Sequence, residues 1–353
     1  METGLQVFFQ SAHEGMSDLD TYKNEIDLCM RAEELGFDYL LSPEHHFTSY
    51  SMAPDPAQFL SYMAARTERI KLVTGAIILS WNDPLRVAEK VILLDYLANS
   101  RVVLGLGRGL ARIEYETFGI DMGEARDRFD ESARMILPAL ESGWIEGDGP
   151  HYPQARTQLR PGPVRSFKGR TVAVARSEES VLMAAELGAA MMMVVQKPIE
   201  QHMPSIEVYR RRYREVHGED APPPWLIDWV YVNEDEAEAR KVAERYMSDY
   251  YKTVLHHYDY VGNHFGTTKG YESYAAGAAE VQAKGVDAAG AAYVGANTFG
   301  TPDQVIERIR HRRDVVGDYV ALSSVSYSGL PYDMVHDSLS LLGKEVLPVV
   351  AAM

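Results

Sequence analysis

Residues 36–47, GFDYLLSPEHHF, contain the pattern that decides the fold of this chain. Apolar residues at helical spacing precede this stretch, and Gly36 is typical of a helix end. The apolar run 37–41 then predicts a buried strand, which ends in the polar cluster 43–46. Ligands of parallel α/β sheets and barrels bind at the carboxyl ends of the strands. An acid and two imidazoles at that end are therefore placed for chemistry.

The composition limits the class of protein. Hydrophobic residues make up 46% of the 353 residues, which is enough for a sizeable core. The single cysteine, Cys29, allows no intrachain disulfide, and we expect a cytoplasmic protein. We find no signal peptide pattern and no apolar window of membrane-helix length. The formal net charge of −16 disfavours nucleic acid and anionic membranes as partners, so an anionic cofactor would need specifically placed arginines.

Strand-like and helical patterns alternate along the whole chain. Eight runs predict strands, at Leu5–Gln10, Phe37–Leu41, Lys71–Leu79, Val102–Gly107, Thr171–Ala175, Ala190–Gln196, Trp225–Val232 and Tyr319–Val325. Eight strands, each followed by a helix, predict an α/β protein of the (β/α)8 or TIM barrel class, with insertions, as a single domain over residues 1–353. A doubly wound open sheet shares the alternation, but the count of eight favours the barrel.

Three stretches depart from the alternation or end it. Residues 147–168 are rich in Gly, Pro and Arg, which predicts an excursion or hairpin outside the barrel wall. From about residue 248 to 297 no clear period is present, so we predict irregular structure there. A last helix, Tyr332–Leu347, is predicted to end at Pro348.

The cluster of Glu44, His45 and His46 has two chemical interpretations. Adjacent strand residues point to opposite faces, and no third ligand stands at metal-like spacing, so we predict no metal site. Two histidines satisfied by structural hydrogen bonds would be the default for isolated residues. The strand-end position and the neighbouring carboxylate favour an acid–base role instead.

Gly105–Gly109 reads GxGxG and not GxGxxG, and no clean helix is predicted directly after it, so we reject a Rossmann dinucleotide site. Glycines at a strand end let a flat ring or a phosphate approach the backbone, and Arg108 would add a cation. A tight turn with a surface arginine explains the pattern equally well.

A second candidate anion site follows the predicted strand 171–175. Arg176, Ser177 and Ser180 open a helix there, and hydroxyls with free N–H groups at a helix start bind anions. An ordinary helix cap by Ser177 is the simpler explanation of the same residues.

Taken together, these motifs resemble the bacterial luciferase-like flavin monooxygenases, above all the branch of the luciferase catalytic (alpha) subunit. The resemblance runs nearly end to end, through GFDYLLSPEHHFT at 36–48, VTGAIILSWNDPLRVAEKVILLDYLANSR at 73–101, LGLGRGLARIEYETFGIDMGEARDRFDE at 104–131, TKGY at 268–271 and GTPDQVIERI at 300–309. The EHHFT block and the block RGL…FG.DM…R are the specific ones. The family fold is a (β/α)8 barrel, in agreement with the strand count.

The resemblance implies roles for individual residues. His45 matches the catalytic histidine and Glu44 precedes it as in the motif. The implied flavin contacts are Gly75 and Ala76 at the isoalloxazine ring, Gly107 and Arg108 beside the flavin, and Arg126, Ser177 and Ser180 at the phosphate. A mobile lid is implied at about residues 250–297. Two departures argue against light emission and an aldehyde substrate, since Arg176 replaces an acid and Gly107 replaces a reactive cysteine.

The implied activity is that of an FMNH2-dependent monooxygenase in a two-component system. A separate flavin reductase would supply FMNH2, O2 would form a C4a-peroxyflavin, and one oxygen atom would pass to a small organic substrate. A homodimer is implied as well. Two alternatives stay open: an oxidoreductase that uses the deazaflavin F420, and a non-catalytic flavin-binding subunit, although the presence of His45 argues against the second.

Overall fold

The structure, a computed structural model, describes residues 1–353 and contains a closed barrel of eight parallel strands. The strands are β1 (Thr3–Gln6), β2 (Tyr39–Ser42), β3 (Lys71–Thr74), β4 (Ile77–Ile78), β5 (Val102–Gly107), β6 (Trp144–Gly147), β7 (Gln154–Gln158), β8 (Thr171–Val174), β9 (Ala190–Val194), β10 (Trp225–Val232), β11 (Thr298–Gly300) and β12 (Val320–Ser324). The ring runs β1-β2-β3-β5-β8-β9-β10-β12 and closes where β12 pairs with β1. The predicted (β/α)8 barrel is confirmed.

Helices follow the strands around the outside of this ring. They are α1 (Asp18–Leu35), α2 (Pro56–Ala64), α3 (Pro84–Leu97), α4 (Arg112–Phe118), α5 (Ala125–Ser142), α6 (Glu178–Glu186), α7 (Met203–His217), α8 (Glu236–His257), α9 (Glu272–Lys284), α10 (Val286–Ala296), α11 (Pro302–Val316), α12 (Tyr332–Leu341) and α13 (Leu347–Ala351). No helix is both long enough and apolar enough to cross a bilayer.

The local sequence explains how the decisive strand is set up. The Ser17 side chain caps α1 by accepting a hydrogen bond from the Asp20 backbone N–H. Gly36 ends the helix with φ at 93°, a left-handed conformation that glycine adopts without a Cβ clash. The chain then enters β2, whose four residues are all buried, between β1 and β3. The residues after Ser42 therefore emerge at the carboxyl end of the barrel.

The predicted strand Lys71–Leu79 is interrupted in the structure. β3 ends at Thr74, and the separate strand β4 begins at Ile77 and pairs with the end of β5. Gly75 and Ala76 lie in the gap, and the peptide bond between them is cis. The interruption places these two small residues at the barrel mouth, where the next section finds them lining a cavity.

Other predictions about the elements were wrong. The stretch predicted as irregular, 248–297, contains the end of α8 and two further helices, α9 and α10, whose many small residues hide a helical period. The helix α4 was not predicted at all, because it has only seven residues. Pro348 does not end the last helix; it occupies an early position of α13, where its missing N–H is tolerated.

The stretch that the sequence placed outside the barrel wall forms a hairpin. β6 and β7 pair antiparallel in a sheet of their own, with no strand pairing to the barrel. β7 is mostly exposed, so the hairpin adds little to the barrel core. Its position leaves the mouth of the barrel to the loops that follow the parallel strands.

Candidate functional site

His45 lies at the barrel mouth, three residues after β2, with its side chain only 15% exposed. Its backbone N–H donates to the Ala53 carbonyl at 3.0 Å, which fixes the loop. Nδ1 of the ring lies 3.2 Å from Oε1 of Glu114, and Nε2 lies 3.4 Å from the hydroxyl of Tyr258. Both ring nitrogens are therefore oriented by polar partners, as a residue that moves protons requires.

Glu114 is a site residue that the sequence analysis missed. It lies in the first turn of α4 and is 1% exposed, and its Oε1 also accepts the backbone N–H of His46 at 2.9 Å. Because α4 was not predicted, Glu114 was not recognised as a site residue, although it stands inside the specific block RGL…FG.DM…R. Glu114, and not Glu44, is the carboxylate that contacts His45.

Glu44, predicted to be catalytic, has a different environment from the one expected. Its oxygens accept hydrogen bonds from Trp81 Nε1 at 2.6 Å, Asn82 Nδ2 at 2.9 Å and the Ile78 backbone N–H at 3.0 Å. His46 Nε2 adds a contact at 3.1 Å. With its oxygens occupied in this way, Glu44 anchors the loop after β4 to the loop after β2. These contacts are typical of a structural anchor, and the catalytic role of Glu44 stays a prediction.

His257, at the end of α8, completes a buried polar cluster. Its Nδ1 lies 3.0 Å from the Thr48 hydroxyl, while Nε2 lies 3.7 Å from Oε1 of Glu114 and has no hydrogen-bond partner. Burial, and then the nearby His45, lower the pKa of His257 to about 2, so the ring is neutral.

The same cluster bears on the question of a metal. Candidate ligand atoms of His45, Glu114 and His257 all lie within 4.8 Å of one another, so these three residues could hold a divalent ion. Residues 45, 114 and 257 are too far apart in the sequence for spacing to signal such a group. The absence of a metal site stays a prediction.

Small residues form one side of the cavity at the barrel mouth. Gly75, Ala76 and Gly107 all line it. A Cβ added to Gly107 would lie 2.8 Å from Cδ1 of Ile78 and 3.2 Å from Cβ of Ala76. A side chain there would collide with these neighbours, so packing requires glycine at this position, and this part of the lining carries nothing larger than a methyl group.

Two arginines beside this surface have unused hydrogen-bonding capacity. The Arg108 guanidinium stacks on the Tyr271 ring at 3.9 Å, and its Nη1 is buried without a partner. All three side-chain nitrogens of Arg126 are likewise buried and unpartnered, and the nearest carboxylates, of Asp130 and Glu179, lie 3.8 Å away. Burial, and then the charge of Arg108, lower the pKa of Arg126. An anion between them would satisfy both guanidinium groups.

The start of α6 adds further polar groups near these two arginines. Ser177 accepts the Ser180 N–H as a helix cap, so its hydroxyl is already occupied, as the simpler explanation had it. Ser180 accepts the Arg176 backbone N–H at 2.9 Å. The Arg176 side chain donates to the Tyr260 hydroxyl at 2.7 Å and stacks on Tyr274 at 4.7 Å. We call Arg108, Arg126, Arg176 and Ser180 the cationic end.

One cavity of about 370 Å³ brings most of the predicted residues together. They are Glu44, His45, Gly75, Ala76, Gly107, Arg108, Arg176 and Ser180. Arg126 and Ser177 do not line it. The lining also includes a set of rings that we call the aromatic wall, made of Phe8, Tyr50, Trp229, Tyr250, Tyr258 and Tyr293. The sequence analysis did not predict this wall.

Comparison with known proteins identifies the family. The model of the luciferase-like monooxygenase family matches residues 1–319. The chain belongs to this family. Its members and structural neighbours are flavin-dependent monooxygenases and oxidoreductases, so this luciferase-like chain is an enzyme of that kind. The resemblance on which the site residues were chosen is confirmed.

Individual relatives are similar over nearly their whole length. The alkanal monooxygenase alpha chain of Photobacterium leiognathi is 26% identical over 355 aligned residues, which cover 97% of each chain. The crystal structure of monooxygenase RslO1 from Streptomyces bottropensis has a TM-score of 0.78 at 25% identity, covering 99% of this chain and 100% of that one.

Two more distant structures share the luciferase-like fold and differ in cofactor. The oxygenating constituent of 3,6-diketocamphane monooxygenase from Pseudomonas putida, a type II Baeyer–Villiger monooxygenase in complex with FMN, has a TM-score of 0.75 at 21% identity, with 99% and 98% of the chains covered. An F420-dependent secondary alcohol dehydrogenase has a TM-score of 0.72 at 15% identity, with 99% and 98% covered. Fold alone therefore leaves the flavin type open.

Proposed function

We propose that this protein is the FMNH2-dependent oxygenase of a two-component system, and that it inserts one oxygen atom of O2 into a small organic substrate. The observation that carries the proposal is the position of His45. It is held by Glu114 on the wall of a cavity that also contains the small-residue surface and three members of the cationic end, Arg108, Arg176 and Ser180.

The residues present fit FMN. Gly75, Ala76 and Gly107 would accept the flat isoalloxazine ring, because they line the cavity with no side chain larger than a methyl group. The unpartnered nitrogens of Arg108 and Arg126 would bind the phosphate, and Ser180 at the start of α6 lies on the same side. Bound there, the reduced flavin would supply the electrons for O2 activation.

His45 would accept and return the proton that is transferred in the reaction. If Nδ1–H donates to Glu114, Nε2 carries the lone pair, and the Tyr258 hydroxyl can donate to it across 3.4 Å. Nε2 can then accept a proton from a reacting group in the cavity and return it. Glu114 stabilises the imidazolium that forms, because its negative charge lies 3.2 Å from the ring.

The walls of the cavity would keep water from the reacting atoms. The aromatic wall is buried except for the half-buried Tyr258, and Tyr50 and Tyr250 hydrogen-bond to each other at 2.8 Å, so their hydroxyls need no water. Excluding water favours oxygen transfer to substrate over the wasteful release of hydrogen peroxide.

A separate flavin reductase would provide FMNH2. The chain has no GxGxxG nicotinamide motif of its own. The diketocamphane enzyme with the same fold is described as an oxygenating constituent, which supports a division of labour between two proteins. Free FMNH2 consumes O2 without a catalyst, so the test is the formation of an oxygenated organic product by the purified protein with chemically reduced FMN and O2, compared with a protein-free control.

An F420-dependent oxidoreductase is the second candidate, because the fold of an F420-dependent alcohol dehydrogenase is shared. The EHHF motif at 44–47 favours the first candidate. Two assays distinguish the candidates: an F420 enzyme reduces F420 with an alcohol donor and forms no oxygenated product from FMNH2, O2 and an organic substrate.

We further propose that the protein is a cytoplasmic homodimer. We also propose that its segment 250–297 moves when ligands enter the cavity. Tyr250, Val254, Tyr258, Tyr274 and Tyr293 of this segment all line the cavity, so a ligand must pass or displace them. Light scattering at micromolar concentration tests the dimer. Slower hydrogen exchange in 250–297 after FMN addition tests the movement.

A further inference from the structure

The aromatic wall forms a continuous series of rings from His45 to Trp229 and Tyr293. Ring centroids are 6.1 Å apart for His45 and Phe8, 5.7 Å for Phe8 and Tyr250, and 4.4 Å for Tyr250 and Trp229. Trp229 and Tyr293 follow at 5.9 Å. A molecule lying along this wall would therefore have one part beside the imidazole and another part beside Trp229 and Tyr293.

Two polar atoms of this wall have no partner. Trp229 is 3% exposed and Tyr293 is 2% exposed, yet neither the indole Nε1 nor the Tyr293 hydroxyl makes a hydrogen bond. Buried polar groups normally have partners, because losing water without compensation is unfavourable. Both residues line the cavity, but the two polar atoms themselves have almost no accessible surface, so a small rotation of the rings brings them to a ligand there.

The nearby side-chain amide of Asn297 does not supply the hydrogen bonds that these two atoms lack. Its Oδ1 accepts the backbone N–H of Trp229 at 2.9 Å, and its Nδ2 donates to the backbone carbonyl of Tyr293 at 2.8 Å. It is fully buried, and both of these bonds are to main chain. The Asn297 side chain also lies near the Tyr293 phenol oxygen, but this leaves the proton of that hydroxyl and the indole N–H of Trp229 without an acceptor. The other hydroxyls of the wall behave differently: Tyr50 and Tyr250 bond to each other, and Tyr258 faces His45.

The flavin does not account for these atoms in the arrangement proposed above. Its phosphate would occupy the cationic end and its ring the surface of Gly75, Ala76 and Gly107. Trp229 and Tyr293 belong to neither set. An indole N–H can only donate and a phenol donates readily, so the missing partner is an acceptor oxygen.

Resting on the proposed function, we propose that the aromatic wall binds the organic substrate, and that this substrate is an aromatic ring system with a carbonyl or similar acceptor oxygen. The rings of the wall provide edge-to-face and offset-stacked contacts to a planar molecule, which an alkyl chain cannot form. Trp229 Nε1 and the Tyr293 hydroxyl bind the acceptor oxygen. The carbon to be oxygenated lies at the other end, beside His45.

The test measures binding without turnover, by calorimetry on the full chain with excess oxidised FMN. Three probes with equal numbers of carbon atoms separate ring from oxygen: 2-acetylnaphthalene has both, 2-ethylnaphthalene has the ring only, and 2-dodecanone has the methyl ketone only. We expect 2-acetylnaphthalene to bind about tenfold tighter than either of the others, which is the usual effect of one good hydrogen bond.

Variants then assign the oxygen contact. Tyr293→Phe should weaken 2-acetylnaphthalene about tenfold and leave 2-ethylnaphthalene within about twofold, since only the hydroxyl is lost. Trp229→Phe also removes ring surface from the wall, so it should weaken both probes, and the ketone about tenfold more than the hydrocarbon. Tyr251→Phe is the matched control, because Tyr251 stacks on Tyr293 but does not line the cavity. The hydrocarbon probe also reports whether each variant keeps an intact wall.

The inference is overturned if the ring ketone does not bind, if 2-dodecanone binds as tightly, or if both variants weaken ketone and hydrocarbon equally. These results say nothing about the formation of an oxygenated product from FMNH2 and O2, which tests the proposed function separately. Ketone-selective binding in a protein that forms no oxygenated product would support the ligand site and contradict the oxygenase.

Discussion

Nδ1 of His45 lies 3.2 Å from Oε1 of Glu114, although the two residues are 69 positions apart in the chain. The same oxygen accepts the backbone N–H of His46, so one buried carboxylate orients both the ring and the loop that carries it. Water cannot substitute for a contact at a carboxylate this buried. The arrangement leaves Nε2 of His45 facing the cavity beside Tyr258.

Glu114→Gln should lower kcat by about tenfold or more, because the neutral amide cannot stabilise a protonated His45 as the carboxylate does. Flavin affinity should stay unchanged, since Glu114 contacts the loop and not the cationic end. Steady-state kinetics with FMNH2 measures the first quantity and flavin titration the second. Glu116→Gln on the same helix, where the side chain is 66% exposed, is the control and should match the native enzyme. Equal kinetics for both variants would remove Glu114 from the mechanism.

His45→Ala should lower turnover by about 10²–10⁴-fold while FMNH2 still binds, since proton transfer is lost and the flavin contacts remain. His256→Ala, at an exposed position near the end of α8, serves as the control. If His45→Ala keeps full turnover, the imidazole is no part of the chemistry. A wild-type protein that binds FMNH2 without turnover would instead point to the non-catalytic flavin-binding subunit.

Arg108→Ala should weaken FMNH2 binding by about 1.5–3 kcal/mol, the range for a hydrogen bond to a charged group. The physical reason is its buried, unpartnered Nη1, which the phosphate would satisfy. Anaerobic fluorescence titration gives the dissociation constant. Arg112→Ala, a half-exposed residue of α4 paired with Glu116 and Asp259, should leave that constant unchanged. An unaltered constant for Arg108→Ala would show that the phosphate binds elsewhere.

His257 should make the fold sensitive to acid. Its pKa is lowered in the folded protein from an ordinary value of 6.5, so the unfolded chain binds the proton more tightly. Stability from this group is therefore complete above about pH 6.5 and is lost as the pH falls below it, by about 2 kcal/mol at pH 5. His257→Phe, which keeps the stacking on Tyr50, should lose less stability between pH 7.5 and 5 than the native protein. Urea unfolding at the two pH values measures this, and parallel losses would contradict it.

Much of the barrel could be predicted from the chain because its signals are local. Buried parallel strands are short apolar runs, and the helix boundaries at Ser17, Gly36 and Pro84 carry capping residues that act on their own neighbours. The motif at 44–47 could be placed at the mouth because strand direction fixes which end it occupies.

The partners of the motif could not be predicted, because they are set by tertiary packing. Glu44 and Glu114 are both buried acids, but only the fold decides that Glu44 is bound by Trp81 and Asn82 while Glu114 reaches His45. The helices α9 and α10 were missed for another reason. Their Ala and Gly content is compatible with a helix but gives no apolar period to detect.

The aromatic wall could not be predicted from the sequence for a related reason. Phe8 follows β1, Trp229 lies in β10 and Tyr293 in α10, so no window of sequence contains them together. Considered by itself, each of these residues is typical of an ordinary protein core. Their unpartnered polar atoms become apparent only when hydrogen bonds are counted in the folded protein.

The decisive measurement is the mass of the product formed from FMNH2, O2 labelled with oxygen-18 and a panel of candidate substrates. We predict a product that carries one labelled oxygen atom, formed by the native enzyme and nearly absent with His45→Ala. Oxidation of FMNH2 that yields only hydrogen peroxide across the whole panel, or a product without the label, would contradict the assignment of this protein as a flavin-dependent oxygenase.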